Sequence, residues 1–227
     1  MLFSIIIPVL NEEAVLEHHL GNLVRQISHY DCELLIVDGE STDRTMEIAQ
    51  RFGRVILSPR GRATQMNMGA AIATGEVLLF LHADTLLPDN AFSSIEHALK
   101  AREVVAGAFR ICFNCHRWPY RLVAFTTNLR SSIFKVFTGD QAYFVRSISF
   151  NAIDGFPDQP LMEDLEIITR LRKIGNVVLL PQYVATSARR HEKIGLTRSV
   201  LFMWYLRTLY KFGTSPAKLQ RIYVDVR

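Results

Sequence analysis

LFSIIIPV, residues 2–9, is a continuous apolar run that leads directly into Asn11 and Glu12. Such a run is typical of a strand that is buried on both faces of a parallel sheet. The next segment, 12–27, predicts an amphipathic helix because apolar residues recur every three or four positions. Its apolar stripe consists of Leu16, Leu20, Leu23, Val24 and Ile27. The chain therefore opens with a strand followed by a helix.

This pattern repeats through the first half of the sequence. Further short apolar runs at 33–37, 55–57 and 77–81 alternate with helical segments, one of which is predicted over 62–73. Repeated strand–helix alternation predicts βαβ units and a mostly parallel sheet flanked by helices. We expect a single α/β domain of Rossmann-like type.

The second half is less regular. It contains strand-like segments at 107–115, 141–146 and 177–180, an amphipathic aromatic segment at 118–137 and a long helix at 196–212. We expect one domain over 1–195, in which about 1–105 form the nucleotide half and about 106–195 the acceptor half. Residues 196–227 are expected to be a helical extension packed on that domain.

Composition limits the classes of function. The chain has 227 residues, 49% of them hydrophobic, and a net charge of +4 without a dense Lys/Arg tract. We therefore expect no nucleic-acid partner. No uncharged run reaches the roughly 20 residues of a spanning helix. We expect a cytoplasmic protein; peripheral contact with the inner membrane face and homo-oligomer formation are left open.

Polar groups follow each of the first four predicted strands. In a parallel sheet, ligands bind beyond the carboxyl ends of the strands, so these groups are candidates for one site. The residues are Asn11 and Glu12 after the first strand, Asp38 after the second, Arg62 after the third, and His82 and Asp84 after the fourth.

Four segments resemble glycosyltransferase family 2. They are SIIIPVLNEE, IVDGESTDRT, GEVLLFLHADT and LMEDLEIITRLRKIG, and the family's order and spacing hold to about Tyr183. The later segment SARRHEKIG resembles a bacterial subgroup. The resemblance implies a GT-A-like fold and an inverting transfer of sugar from a nucleoside-diphosphate sugar, with a UDP-sugar favoured, to a hydroxyl acceptor, with a lipid-linked acceptor included.

The resemblance assigns the donor pocket to the first two strand ends. Asp38 resembles the aspartate that binds the nucleobase and ribose, and Pro8, Asn11 and Glu12 resemble the rest of that pocket. Two alternatives remain: Asp38-Gly39 is an ordinary turn, and Glu12 only favours the helix N-terminus.

The central candidate is His82-Ala83-Asp84, where the family usually has Asp-x-Asp. The resemblance implies that Asp84 binds Mn²⁺ or Mg²⁺ together with diphosphate oxygens, since hard cations prefer oxygen ligands. His82 departs from the pattern. Contact with ribose or phosphate, metal binding and a purely structural role all remain open for it.

Glu163-Asp164 resembles the acidic pair in which the aspartate is the catalytic base. Both residues lie in the first turn of a predicted helix, where the helix dipole keeps a carboxylate ionised. The alternative is that both acids only stabilise the helix N-terminus.

Basic and acceptor-side residues complete the predicted site. Arg62, with Arg189 and Arg190 in a loop, suits the diphosphate, although solvated basic turns are the alternative. Asp140 and Gln141 resemble an acceptor-side segment. Their alternative is an ordinary turn.

Two other functions remain open. A nucleotidyltransferase on a similar sheet would release pyrophosphate, although the turn after the first strand lacks the glycines expected of a dinucleotide site. A catalytically inactive nucleotide-binding regulator is suggested by His82 and would bind nucleotide without turnover.

Overall fold

The computed structural model describes residues 1–115, 117–189, 192 and 195–225. Within these residues, eight strands form one sheet in the order β3-β2-β1-β4-β7-β6-β8-β5. The strands are β1 (Phe3–Val9), β2 (Cys32–Asp38), β3 (Arg54–Leu57), β4 (Val77–Phe80), β5 (Thr85–Leu86), β6 (Val104–Phe113), β7 (Tyr143–Arg146) and β8 (Asn176–Thr186).

Helices cover the sheet on both sides. They are α1 (Glu13–Ile27), α2 (Thr45–Ala49), α3 (Arg62–Ile72), α4 (Ala91–Ala98), α5 (Trp118–Phe134), the 3₁₀ helix η1 (Gly139–Gln141), α6 (Ser147–Ala152), α7 (Glu163–Leu171), α8 (Leu196–Lys211) and α9 (Pro216–Asp225). The predicted α/β class is confirmed.

The sheet is parallel across β3, β2, β1 and β4, as the strand–helix alternation predicts. β7 then runs antiparallel to both β4 and β6, whereas β6 and β8 are parallel. The carboxyl ends of β1, β2 and β4 therefore lie at one edge of the sheet. The start of β7, which follows η1, lies beside the end of β4, since Tyr143 pairs with Phe80.

Two hydrophobic cores explain the apolar residues in the middle of β1. Alternate residues of a strand face opposite sides of the sheet. Phe3, Ile5 and Ile7 pack with the apolar stripe of α1. Ile6 points to the other side and packs with Met66 of α3. Both faces of the strand are buried, and its polar residue, Ser4, is hydrogen-bonded to Glu33 and to the N–H of Gly75.

The structure corrects several predicted boundaries. β8 continues to Thr186, past Pro181, because the pairing with β6 shifts from Phe109–Leu180 to Arg110–Tyr183. Proline is tolerated at such a bulge, where no ladder bond from its nitrogen is needed.

The segment predicted as a strand over 141–146 begins as η1 and becomes a strand only at Tyr143. The amphipathic aromatic segment 118–137 forms α5, which ends at Phe134, because Lys135 adopts a left-handed φ of 51°. Two elements, β5 and α6, were not predicted from the sequence.

The two C-terminal helices form a small third core. Leu206 of α8 and Leu219 of α9 are fully buried against Met162, which directly precedes α7. The hydroxyl of Tyr210 in α8 lies 3.4 Å from Oε2 of Glu166 in α7. In the described part of the chain, no helix has the length and apolar character that crossing a membrane requires.

Candidate active site

Asp38 lies at the carboxyl end of β2 and is 3% exposed. Its Oδ2 accepts a hydrogen bond of 3.0 Å from the backbone N–H of Ser41. Its Oδ1 is buried and has no hydrogen-bond partner among the residues that the structure describes. Leaving a buried carboxylate oxygen without a bond is costly. An unused acceptor at a strand end therefore suits a ligand that brings N–H or O–H donors.

Asn11 holds the turn that follows Asp38. Its Oδ1 accepts a bond of 2.8 Å from the backbone N–H of Thr42, and its own N–H donates 3.0 Å to the hydroxyl of Ser41. Asn11 adopts a left-handed φ of 53°, which asparagine tolerates better than most residues. Pro8 is half-buried in β1 and pairs with Val37 beside this turn. The ends of β1 and β2 are thus tied together.

Gln65 is a site residue whose role was not predicted from the sequence. It projects from α3, is 4% exposed, and donates Nε2 to the carbonyls of Val9 at 2.9 Å and Val37 at 2.8 Å. A Cβ atom at Gly39 would lie 2.8 Å from this amide, so only glycine lets the two approach. A polar residue on the inner face of α3 was the signal available in the sequence.

Glu12, Asp84 and Arg189 form a charged cluster at the end of β4. Nη2 of Arg189 lies 3.3 Å from Oε2 of Glu12 and 3.6 Å from Oδ2 of Asp84. Burial and the charge of Asp84 raise the pKa of Glu12, while Arg189 acts in the opposite direction. The side chain of Glu12 makes no capping bond to α1, which argues against the purely helix-stabilising alternative. Two acids share one cation here.

His82 brings the acidic pair of α7 next to this turn. A Cβ atom at Gly139 would lie 2.7 Å from Nε2 of His82, so the imidazole packs directly on η1. The backbone N–H of the same glycine donates 3.2 Å to Oδ2 of Asp164. Asp164 also accepts 2.9 Å at Oδ1 from the N–H of Leu165. Gly139 therefore lies between the imidazole of His82, which follows β4, and the carboxylate of Asp164.

Glu163, the first residue of α7, is 4% exposed and faces Arg62, the first residue of α3. Nη1 of Arg62 lies 3.4 Å from Oε1 of Glu163. Burial, opposed by Arg62 and reinforced by Asp164, raises the pKa of Glu163 to about 7. Desolvation opposes the charge of Arg62, but Glu163 and then Asp164 outweigh it and raise its pKa.

The two acceptor-side candidates behave differently. Asp140 accepts a bond of 2.6 Å from the hydroxyl of Thr138. Gln141 is fully buried, and its amide binds the N–H of Thr138 at 2.9 Å and the carbonyl of Phe109 at 3.0 Å. The Gln141 side chain therefore does not face the candidate site. Its hydrogen bonds instead hold η1 in place.

Two predicted site residues remain, Ala83 and Arg190. Ala83 is buried between His82 and Asp84. Arg190 lies outside the described residues. Among the residues described, no group of three or more His, Cys, Asp or Glu side chains is arranged to hold a metal ion.

Solved structures share this fold. A mannosyltransferase from Pyrobaculum calidifontis, in complex with GDP-Man and Mn²⁺, superposes with a TM-score of 0.66 at 20% identity, covering 95% of this chain and 66% of that one. TarS of S. aureus in complex with UDP-GlcNAc gives 0.66 at 19% identity, covering 82% and 58%. The GT-A-like architecture predicted from the sequence is confirmed.

Sequence comparisons point to one family. A glycosyltransferase of PGL/p-HBAD biosynthesis from Mycobacterium bovis is 46% identical over 94 residues, which are 38% of this chain and 36% of the relative. The match thus spans just over a third of that protein's length. The sequence model of glycosyl transferase family 2 matches residues 4–154, more than half of the chain. The chain therefore belongs to glycosyl transferase family 2.

Proposed function

We propose that the chain is an inverting glycosyltransferase that moves a sugar from a nucleoside-diphosphate sugar to a hydroxyl acceptor. The observation that carries this proposal is the contact path from His82 through Gly139 to Asp164. It puts a carboxylate beside the turn that follows β4, where the family places the donor diphosphate. His82 comes from the first half of the chain, whereas Gly139 and Asp164 come from the second half.

The donor base and ribose bind at the ends of β1 and β2. Asp38 accepts hydrogen bonds through its unused Oδ1, and Pro8 and Asn11 shape the adjoining wall. A UDP-sugar is favoured by the family resemblance. Arg62 and Arg189 face the diphosphate, because guanidinium groups match phosphate oxygens in geometry and charge. Arg190 is assigned to the same role.

The donor set fits a divalent cation that the diphosphate helps to hold. Asp84 and Glu12 already share the cationic group of Arg189, so this corner of the site favours positive charge. Asp84 would supply one carboxylate oxygen to Mn²⁺ or Mg²⁺, and phosphate oxygens would supply others. Such an ion offsets the negative charge of the departing diphosphate.

Asp164 is the proposed general base. It removes the proton of the acceptor hydroxyl as the oxygen forms a bond to the anomeric carbon and the bond to the diphosphate breaks. Backbone N–H donors from Gly139 and Leu165 stabilise the ionised carboxylate. A single displacement inverts the anomeric centre. Glu163 positions Arg62, and Asp140 contacts acceptor hydroxyls, while Gln141 positions η1.

We also propose that α5 and α8 rest on an anionic membrane surface, which suits a lipid-linked acceptor. Trp118, Leu122, Phe125, Leu129 and Ile133 are between 47% and 73% exposed and follow one another at intervals of three or four residues. They therefore form one stripe along α5.

The neighbouring helix extends this surface. α8 packs against α5 and exposes Leu201, Trp204 and Tyr205. Neither helix contains an aspartate or glutamate, and Arg121 and Arg198 are exposed on them. Apolar side chains accompanied only by basic charge suit the interface of an anionic bilayer.

The enzymatic proposal is tested in two stages. First, thermal shifts with a panel of nucleoside diphosphates and their sugars, with and without Mn²⁺, identify the donor. Second, release of nucleoside diphosphate from that donor is compared between wild type, Asp164→Asn and Asp84→Ala. The matched control is Asp31→Asn, an exposed carboxylate at the opposite end of β2.

We expect both site variants to lose at least about 100-fold in turnover and the control to keep it. Turnover that survives both site changes contradicts the assignments. Pyrophosphate release from a nucleoside triphosphate and a sugar phosphate would instead indicate a nucleotidyltransferase. Nucleotide binding without turnover by the wild type would indicate a regulator.

A further inference from the structure

Arg130 is a partly buried residue whose guanidinium group is largely shielded from solvent. It lies on α5, on a different side from the exposed apolar stripe, and its Nε and Nη2 atoms are buried. Neither nitrogen has a hydrogen-bond partner in the part of the chain that the structure describes. Burial, with a further contribution from the charge of Arg207, lowers the pKa of Arg130 to about 10.

Tyr143 presents a second unused donor in the same region. It is 4% exposed at the start of β7, and its hydroxyl is buried with no partner among the described residues. Burial raises the pKa of Tyr143 well above its ordinary value, and the charges of Asp164, Asp140 and Glu163 add to the effect. Arg130 acts on the same hydroxyl in the opposite direction. The segments of the two donors are in contact, because the hydroxyl of Ser131, which follows Arg130, donates 3.1 Å to Oε1 of Gln141, two residues before Tyr143.

Both donors lie close to η1, which contacts α5 through Gln141 and the candidate base Asp164 through the N–H of Gly139. Asp140 and Asp164 are near enough to affect the pKa of Arg130 as well as that of Tyr143. However, the oxygens of these acids accept hydrogen bonds elsewhere. Asp140 binds the hydroxyl of Thr138, and Asp164 binds the N–H groups of Gly139 and Leu165.

A buried guanidinium is stable when its donors meet an anion or several carbonyl groups. Buried donors without bonds are uncommon in folded proteins, and their occurrence at a functional site points to a missing ligand. Arg207 from α8 adds a second positive charge to the same region. The excess of unused donors calls for an oxygen-rich anion rather than for an apolar group.

We propose that Arg130 and Tyr143 bind an oxyanionic group of the acceptor, a carboxylate or a phosphate, next to Asp164. This inference rests on the glycosyltransferase function proposed above. The anion fixes the acceptor so that its hydroxyl reaches Asp164. Arg207 contributes charge from α8, which joins the anion subsite to the surface formed by α5 and α8.

Three sugars with the same ring test the proposal by calorimetry. Glucose 6-phosphate and glucuronate carry the two anions, and glucose carries neither. Each is titrated into the full chain saturated with the nucleoside diphosphate that gave the largest thermal shift, which blocks the donor phosphate site. The variants are Arg130→Gln and Tyr143→Phe, and the matched control is Arg102→Gln, an exposed arginine in the turn before β6.

We expect at least one charged sugar to bind at least 10-fold more tightly than glucose. Arg130→Gln should abolish that preference, Tyr143→Phe should reduce it about threefold, and Arg102→Gln should leave it unchanged. The stronger of the two charged sugars shows which anion the subsite prefers. Equal binding of all three sugars, or a preference that survives both site variants, overturns the inference.

Two features keep the outcome decisive. If Arg130→Gln fails to fold, Tyr143→Phe removes a single oxygen atom and carries the test. If no nucleotide shifts the melting temperature, the proposed function fails by itself. The titration of the free protein then still decides whether the anion binds at Arg130.

Discussion

Nη2 of Arg189 lies 3.6 Å from Oδ2 of Asp84, so the segment after β8 places a cation on the carboxylate after β4. The same nitrogen lies 3.3 Å from Oε2 of Glu12, which follows β1. Three segments that are distant in sequence thus meet at one guanidinium. Its removal would leave two acids facing the incoming diphosphate without their shared counter-charge.

Arg189→Gln should therefore weaken binding of the nucleoside diphosphate by roughly 10-fold, because a charge-assisted bond to phosphate is lost and two acids remain. Calorimetric titration of the nucleotide measures this. Arg54→Gln, an exposed arginine of β3, is the matched control and should bind as wild type does. Unchanged nucleotide affinity in Arg189→Gln would show that Arg189 only pairs with Glu12 and Asp84 in the unliganded protein and does not bind the nucleotide.

Asp38→Asn should reduce nucleotide affinity by about 10-fold, because the unused Oδ1 is expected to accept bonds from base or ribose. The unliganded variant should be at least as stable as wild type, since a buried charge with an unbonded oxygen is removed. Thermal melts with and without nucleotide measure both effects. A variant that melts lower but binds equally well would assign Asp38 a structural role.

Gly139→Ala should lower turnover by at least about 10-fold with little change in nucleotide affinity. The added methyl would lie 2.7 Å from Nε2 of His82 and must displace the imidazole or η1, which donates to Asp164. A shift of about 1 Å in a reacting group costs as much as 100-fold. Gly21→Ala in α1 meets only ordinary contact at 3.9 Å and is the matched control. Equal turnover in both variants would contradict this placement.

Glu163 should make stability depend on pH in a defined window. Its pKa is raised from 4.5 to about 7, so the folded state binds the proton more tightly than the unfolded state. Its contribution is complete below about pH 4.5 and is lost as pH rises through about 7. The slope within the window is at most about 1.4 kcal/mol per pH unit.

Urea unfolding between pH 4 and 8 checks this for wild type and Glu163→Gln. The stability advantage of wild type over the variant should shrink as pH rises. Parallel pH profiles for the two proteins would show that folding leaves the pKa of Glu163 unchanged.

The apolar stripe of α5 should bind anionic lipid. Wild type should sediment with vesicles that contain phosphatidylglycerol and remain in solution with phosphatidylcholine alone. Replacing Trp118 and Phe125 together by glutamine should reduce the sedimented fraction at least about fivefold, because two large apolar side chains no longer enter the interface.

Ile148→Gln removes an exposed apolar side chain outside this surface and is the control. Light scattering of the wild type provides the competing result. A stable dimer that Trp118→Gln and Phe125→Gln dissociate, with no vesicle binding, would show that a second copy covers the stripe.

The amino-acid pattern was sufficient to predict the parallel half of the fold and the residues that follow its strands. Continuous apolar runs such as 5–7 require burial on both sides, and helical spacing after each run requires a crossover. The positions of Asp38 and Asp84 at strand ends follow from that alternation. The resemblance to a family then supplied expected roles for them.

The contacts between the two halves of the candidate site depend on tertiary packing. The antiparallel β7 brings η1 to His82, and no local pattern encodes a contact between residues 57 positions apart. The bulge at Pro181 extends β8 so that Arg189 reaches Glu12 and Asp84. The burial of Arg130 and Tyr143 was equally invisible, because a side chain's unmet hydrogen bonds depend on neighbours from other elements rather than on its own sequence. Sequence periodicity indicates which face of a helix or strand is buried, whereas long-range packing determines which polar groups of different elements come into contact.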